Sequence, residues 1–366
     1  MRKGSNKMKT TYQTWTVGLL LGVSLMLTGC ERPPKVVEQI GYRGTGMEKV
    51  INPRIESAKQ AANEVPEALP PAEKGGKKAS AVYKNVKVLG DLTENEFNRV
   101  MLAITTWVAP DQGCTFCHNA ANFAEDTLYQ KVVARKMIQM TTTINSKWQA
   151  HVGNTGVTCY TCHRGNNVPN KLWFTAPEVK TAGRMLGNNF GQNRAGQDSV
   201  KNTSLPYDPF TPFLLKDTNI RVAGTTALPT GNKTSLKQAE YVHGLMIHMS
   251  DSLGVNCTTC HNTRAMAQWD ESTPRRTTAW VGIRMVRDLN NNFVVPLTGI
   301  QPAHRLGPTG DIGKVNCATC HNGVQKPLYG APMLQAYPEL KGSLPVEKIA
   351  AMAATPPTPP KDHLRR

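Results

Sequence analysis

The chain has 366 residues, 19% of them charged, and a formal net charge of +17. The length permits two domains. A basic excess of this size raises nucleic acid as a partner, but no motif interleaving aromatic and basic residues accompanies it, so no nucleic-acid partner is expected.

Residues 1–29 hold Arg2, Lys3, Lys7 and Lys9, then an apolar run from Trp15 to Leu27, then Thr28 and Gly29. A basic start, a short apolar run and small residues describe a secretory signal, and the run is short for a membrane span. Leu27-Thr28-Gly29-Cys30 resembles the lipobox of bacterial lipoproteins. Cleavage there would leave Cys30 as a lipidated N-terminus, and two acyl chains anchor stably where one does not. Loss of the four leader cations would leave a mature charge of +13. The alternative is an uncleaved anchor helix; either sends the remainder across a membrane.

Residues 30–85, rich in Pro, Ala, Lys and Glu, read as an extended arm or linker. From there the chain carries Cys-x-x-Cys-His four times: Cys114 and Cys117 with His118, Cys159 and Cys162 with His163, Cys257 and Cys260 with His261, Cys317 and Cys320 with His321. This is the attachment pattern of c-type haem. The thiols form thioethers to the vinyls and the His binds the iron. Four covalent haems would use eight of the nine cysteines and would be wrapped by apolar chain.

The expected fold is mainly α: a multihaem cytochrome whose two dihaem halves, built of helix–turn–motif units, are related by a pseudo-two-fold, with little regular structure elsewhere. The halves are residues 86–165 (motifs 1 and 2) and 236–330 (motifs 3 and 4). Residues 166–235, rich in Asn, Gly, Thr and Pro, read as a connector looping across the surface. Residues 331–366 read as a mobile Pro-rich tail.

Thr93 and Glu96 form a capping box opening a helix with Phe97, Met101, Ile104 and Val108 on one face. Ser235 and Gln238 open a second such helix, with Val242, Met246, Met249 and Leu253 in a stripe and Gly254 as its stop. Between them Val133, Met137, Met140, Ile144, Trp148 and His151 share one face of a longer helix. If that helix is continuous, Met137 and His151 lie roughly 21 Å apart and serve two neighbouring haems. Met101, Met137 and Met246 are the first candidates for sixth ligands of haems 1, 2 and 3. Met140 rivals Met137, and Met249 and His248 rival Met246. For haem 4 the repeat nominates Met285, while His151 and His304 also compete, and periodicity does not choose among them.

Four Cys-x-x-Cys-His motifs, a lipobox, the segment Gly41-Tyr42-Arg43-Gly44-Thr45-Gly46-Met47, and Met residues 13, 22 and 11 positions before the first three motifs resemble the tetrahaem cytochrome subunit of purple-bacterial photosynthetic reaction centres. The resemblance implies Met–His ligation at haems 1 to 3 (Met101 with His118, Met137 with His163, Met246 with His261) and bis-His ligation at haem 4, with His151 opposite His321. It implies a nearly linear array ordered 1, 2, 4, 3, with haem 3 nearest the chlorophyll pair. It also implies reaction-centre membrane subunits as partners and a location on the periplasmic face of the photosynthetic membrane. The role implied is electron transfer, not enzymatic catalysis: electrons come from a soluble periplasmic donor, either a basic cytochrome c or a high-potential iron–sulfur protein.

Residues 88–130 carry Asp91, Glu94, Glu96, Asp111, Glu125 and Asp126 against one base, Arg99. This acidic stretch in a basic protein reads as a docking patch for that donor, with a solvated helix face as the alternative. Arg164 and Arg264 follow motifs closely and suit haem propionates or the surface. Two other functions compete: a membrane-anchored relay to another redox partner, and a periplasmic multihaem reductase, which would need an iron with an open position. A zinc protein would leave the fourfold His offset and the export signal unexplained.

Overall fold

The computed structural model describes residues 35–41, 43–44, 46–177, 200–201, 203–222 and 235–342. The leader, Cys30, Tyr42, Thr45 and the proline run of the tail lie outside the described residues. The fold is mainly helical, and the sole sheet among the described residues is the antiparallel hairpin β1 (Val36–Gln39) and β2 (Glu48–Ile51). Besides the four-residue helix Ala79–Val82, the α-helices are α1 (Pro53–Ala62), α2 (Glu94–Val108), α3 (Tyr129–Lys147), α4 (Gln149–Val152), α5 (Cys159–His163), α6 (Leu236–Leu253), α7 (Pro274–Leu289), α8 (Cys317–His321) and α9 (Met333–Ala336).

Helix starts are set locally. Thr93 Oγ1 accepts from Glu96 N while Glu96 Oε2 accepts from Thr93 N at 2.8 Å, so α2 opens on a reciprocal box. Ser235 and Gln238 open α6 likewise, and Gly254 closes it in the left-handed region that glycine adopts without strain.

The expected continuous helix from Val133 to His151 is broken. Helix α3 stops at Lys147, Trp148 leaves helical geometry, and His151 belongs to the separate turn α4. Asp288 on α7 accepts hydrogen bonds from both Lys147 Nζ and Trp148 Nε1 at 2.9 Å, which tethers the break to the other half of the chain. The straight four-turn separation of Met137 and His151 therefore does not apply.

The arm folds back on the chain. The hairpin rests on motif 3, where Val50 N donates to Asn256 Oδ1 and Glu48 N to Thr258 Oγ1. Helix α1 ends against motifs 2 and 4, with Ala62 O accepting from Arg164 Nη1 at 2.8 Å and from Asn322 Nδ2 at 3.2 Å.

The connector is not confined to the surface either. Trp173, Phe210, Phe213 and Leu214 are buried in the main apolar cluster with Ile144, Leu245, Ile283 and Leu289. Average composition concealed this: the polar stretch surrounds a short apolar segment, which the hydrophobic effect buries regardless of its flanks.

Nor does the chain come loose at Ala331. Met333, Leu334, Tyr337 and Leu340 are buried with Val100, Ala103 and Trp107 of α2 in a second cluster, and the Tyr337 ring meets Trp107 edge-on at 4.6 Å.

Two buried asparagines tie the long helices to the motifs that follow them. Asn145, 1% exposed, donates to Val157 O at 2.9 Å and accepts from Val157 N at 2.8 Å. Asn290, 0% exposed, exchanges the same two bonds with Val315, both at 2.9 Å. Val157 and Val315 each stand two residues before a motif Cys. Each asparagine also donates to a remote carbonyl, Leu340 O and Leu214 O respectively. Asn290→Ala would strand an amide and two carbonyls in the interior, and each buried unpaired group costs about 1–3 kcal/mol. The expected loss is about 3 kcal/mol, measured as a lowered denaturant midpoint at unchanged slope. A loss below about 1 kcal/mol would mean that water re-satisfies those groups.

Candidate functional site

The four motifs fall into two pairs by local backbone. In motifs 2 and 4 the five residues form one α-turn, α5 and α8, each opened by a capping box, Thr158 with Thr161 and Asn316 with Thr319. Each is closed by a left-handed residue, Arg164 or Asn322. In motifs 1 and 3 the cysteines lie in or beside tighter 3-10 turns, Gly113–Phe116 and Cys257–Thr259.

The histidines share one arrangement. His163 Nδ1 meets Asn166 O at 2.9 Å and His321 Nδ1 meets Val324 O at 3.1 Å, each three residues on. His118 Nδ1 meets Phe123 O and His261 Nδ1 meets Met266 O, both at 3.0 Å and five residues on. A carbonyl only accepts, so Nδ1 carries the proton and Nε2 keeps its lone pair. Histidines that bind metal characteristically donate their other ring N–H in this way, which fixes the tautomer and raises ligand basicity. Sequence reasoning missed these bonds because their acceptors are backbone atoms.

His151 joins the set: its Nδ1 meets Thr278 O on α7 at 2.9 Å. Its ring faces His321 with centroids 6.1 Å apart and planes at 74°. Two imidazoles on opposite sides of one metal, with metal–nitrogen bonds of about 2 Å, would put their centroids roughly 6 Å apart. The rival histidines are placed differently. His248 is buried with Nε2 against Ser252 Oγ at 3.1 Å, and His304 is exposed on the turn Ala303–Arg305.

Burial lowers the pKa of His163 and His151. Burial and then Arg276 lower that of His261. Burial and then His151 push His321 down to about 4. These rings are therefore neutral near pH 7, as a metal ligand must be. Burial also pushes the thiols of Cys117 and Cys159 up to about 11 and that of Cys317 up to about 12, so they are thiols rather than reactive thiolates.

Two cavities adjoin the motifs. The smaller, about 110 Å³, is lined by Met137, Cys159 and His163, together with Cys117 of motif 1. The larger, about 440 Å³, is lined by His151, Cys317, Cys320 and His321, together with Cys260 of motif 3. Met140, Met249 and Met285 also line the larger one. Motifs 2 and 4 touch in the wall of the larger cavity, which Cys162 also lines: Cys162 Sγ and Cys320 Sγ are 2.9 Å apart. Met101 and Met246 are half-buried on α2 and α6, packed against the second and first clusters respectively; neither lines either cavity. The larger slot, with the Cys317 and Cys320 pair, His321 presenting Nε2 and His151 beside it, suits covalent haem, and the smaller one brings Cys159, His163 and Met137 to one wall. Among the described residues, no His, Cys, Asp and Glu group forms an ordinary metal-ion site.

The acidic stretch around motif 1 is largely compensated. Asp91 pairs with Lys78 at 3.0 Å. Asp126 pairs with Arg135, Lys87 and Lys131, and the Arg135 hydrogen bond leads in holding its carboxyl far below the usual range. Those cations lie just outside the 88–130 window. Glu96 is committed to its helix cap, and the Asn119 and Asn122 amides donate to Glu125. Arg99 is spent on Glu339. Glu94 and Asp111 form no ion pair among the described residues. Leu102 and Phe123 are 56% and 51% exposed, and Phe123 stacks on His118. Arg164 is occupied by Ala62 O, Asn63 Oδ1 and Cys320 O, with its buried Nε unpaired. Arg264 donates to Gly44 O.

No helix among the described residues is long and apolar enough to cross a membrane. The family model described as photosynthetic reaction centre cytochrome C subunit matches residues 31–341. A photosynthetic reaction center cytochrome c subunit from Rubrivivax gelatinosus is 54% identical over 340 residues, covering 93% of this chain and 92% of that relative. One from Thermochromatium tepidum is 50% identical over 347 residues, covering 94% and 85%. One from Roseobacter denitrificans is 41% identical over 325 residues, covering 82% and 84%.

Proposed function

The chain belongs to the photosynthetic reaction centre cytochrome c subunit family, and from that membership we propose that it carries electrons from a soluble periplasmic donor to the photo-oxidised chlorophyll pair through four covalently attached c-type haems. Membership implies covalent c-type haem and association with the reaction centre. The observation that carries the finer reading is that all four motif histidines hold Nδ1 on a backbone carbonyl and present Nε2.

Haem supplies a one-electron iron couple, and the chain's part is to ligate, space and insulate it. His118, His163, His261 and His321 would each hold one haem iron, together with Met101, Met137, Met246 and His151 in turn. Thioethers on three irons favour the reduced state relative to a second imidazole. The pairwise likeness of motifs 1 and 3 and of motifs 2 and 4 supports two dihaem halves related by a pseudo-two-fold. The Cys162–Cys320 approach, with Cys117 on the motif 2 cavity and Cys260 on the motif 4 cavity, supports the order 1, 2, 4, 3. Lipidation at Cys30 would hold the chain on the periplasmic face of the photosynthetic membrane.

The test is flash photolysis of membranes carrying the chain. A light flash should oxidise its haems within the lifetime of the photo-oxidised pair, and added soluble donor should re-reduce them. All four irons should be six-coordinate and low-spin; rapid CO binding by the native reduced protein would reveal an open iron and favour a reductase.

Of the acidic patch, Glu94 and Asp111 remain for steering the donor, beside exposed Leu102 and Phe123. Charge reversal at either should slow donor association a few-fold at low ionic strength, and salt should erase the difference. If the variants match the parent at low salt, docking is apolar.

A further inference from the structure

We propose that Gly282 is the residue that selects histidine over methionine as the outer ligand at motif 4, by leaving in α7 a gap that the His151 ring fills. The inference rests on reading His151 as that ligand.

The two asparagine clasps set the register between halves. Each asparagine bonds reciprocally to the valine two residues before a motif Cys. Taking Asn145 and Asn290 as equivalent aligns the helices before motifs 2 and 4 without a gap: Ile138 on Ile283, Met140 on Met285, and Ile144 on Leu289, all of them buried. In this register the counterpart of Met137 is Gly282. Met285, which spacing nominated, is the counterpart of Met140, and both sit in the wall of the larger cavity. The second half therefore lacks a side chain where the first half offers a thioether.

Space accounts for the glycine. A Cβ on Gly282 would lie 2.5 Å from His151 Cε1 and 2.9 Å from Nδ1, closer than unbonded atoms approach. Gly282 lies inside α7, where glycine costs about 1 kcal/mol relative to alanine. Its backbone is helical, so its freedom to adopt positive φ is unused. The backbone carbonyl of Thr278, one turn earlier on α7, accepts the hydrogen bond from His151 Nδ1. The break after Lys147 puts His151 on a turn of its own, packed against α7. One helix thus leaves the space and holds the ring, while the other half of the chain supplies it.

The experiment compares holoprotein carrying Gly282→Ala, Gly282→Met, His151→Ala and, as control, Gly299→Ala, where a Cβ meets nothing within 4 Å. The readouts are a potentiometric titration of all haems and near-infrared magnetic circular dichroism, which distinguishes thioether from imidazole ligation. Gly282→Met should replace one bis-imidazole signal by a thioether signal and raise one potential, leaving the other three unchanged. Gly282→Ala should displace the ring and make one haem CO-reactive, and it decides the matter alone if the methionine variant does not assemble. Gly299→Ala should change nothing. If both Gly282 variants keep the bis-imidazole signal while His151→Ala abolishes it, the selector role is wrong and the ligand assignment stands. If His151→Ala changes no haem, the ligand assignment itself has failed, and the selector role with it.

Discussion

Arg99→Met is expected to destabilise the protein by about 3–5 kcal/mol, the loss that follows when one member of a buried ion pair is removed. Arg99 and Glu339 are 7% and 6% exposed and meet at 3.0 Å. The guanidinium also donates to the carbonyls of Leu69, Pro70 and Ala336, and it stands 4.2 Å over the Tyr337 ring. One side chain on α2 thus fastens the arm and the C-terminal segment to the same point. Methionine keeps much of the length but strands a carboxylate and three acceptors. The double variant Arg99→Met, Glu339→Leu should recover part of the loss, because a buried pair replaced by apolar residues is often near neutral. Urea unfolding of the parent, both single variants and the double closes the cycle. A single-variant loss under about 1 kcal/mol would show that water reaches Glu339 and that the pair does not hold the two ends.

What could be read from the sequence was what is local. The Thr93–Glu96 and Ser235–Gln238 boxes and the Gly254 stop are decided within one turn, and the helices begin and end there. Four spaced Cys-x-x-Cys-His motifs announce c-type haem, the Met spacings and the lipobox narrow it to a family, and that family resemblance holds across residues 31–341. What stayed hidden was set by residues far apart in the chain. Arg99 read as the lone base of an acidic surface, yet its partner is 240 positions away. The break at Trp148 is tethered by Asp288, a contact that no periodicity in residues 133–151 announces. The repeat argument matched Met285 to Met137 by helix position alone. The Ile-x-Met run ending in Asn, present in both halves, was the available signal, and it shifts the match by three residues. A short-range pattern gives an element its phase; only a contact fixes which residues of two elements are equivalent.

His151→Met should raise the potential of a single haem, on the order of 0.1 V within the roughly 0.8 V that axial ligands command, and leave the other three near their parent values. Imidazole is the stronger donor and favours ferric iron, and donation of Nδ1–H to Thr278 O strengthens it further. A thioether is a weaker, softer donor and favours the ferrous state. The change should be confined to one iron because the described geometry brings His151 to a single motif histidine, His321, at 6.1 Å between centroids. In an array ordered 1, 2, 4, 3, raising that potential alters the two steps that involve haem 4, from haem 2 and to haem 3, and leaves the potentials of both terminal haems unchanged. Donor association should therefore be untouched, while redistribution of an electron between the central haems shifts about tenfold for each 59 mV of change. A redox titration resolving four one-electron steps measures the first effect, and multi-flash absorption kinetics the second. If no step moves, and Met285→Leu moves one instead, the thioether in the wall of the larger cavity is the ligand and His151 is a packing residue.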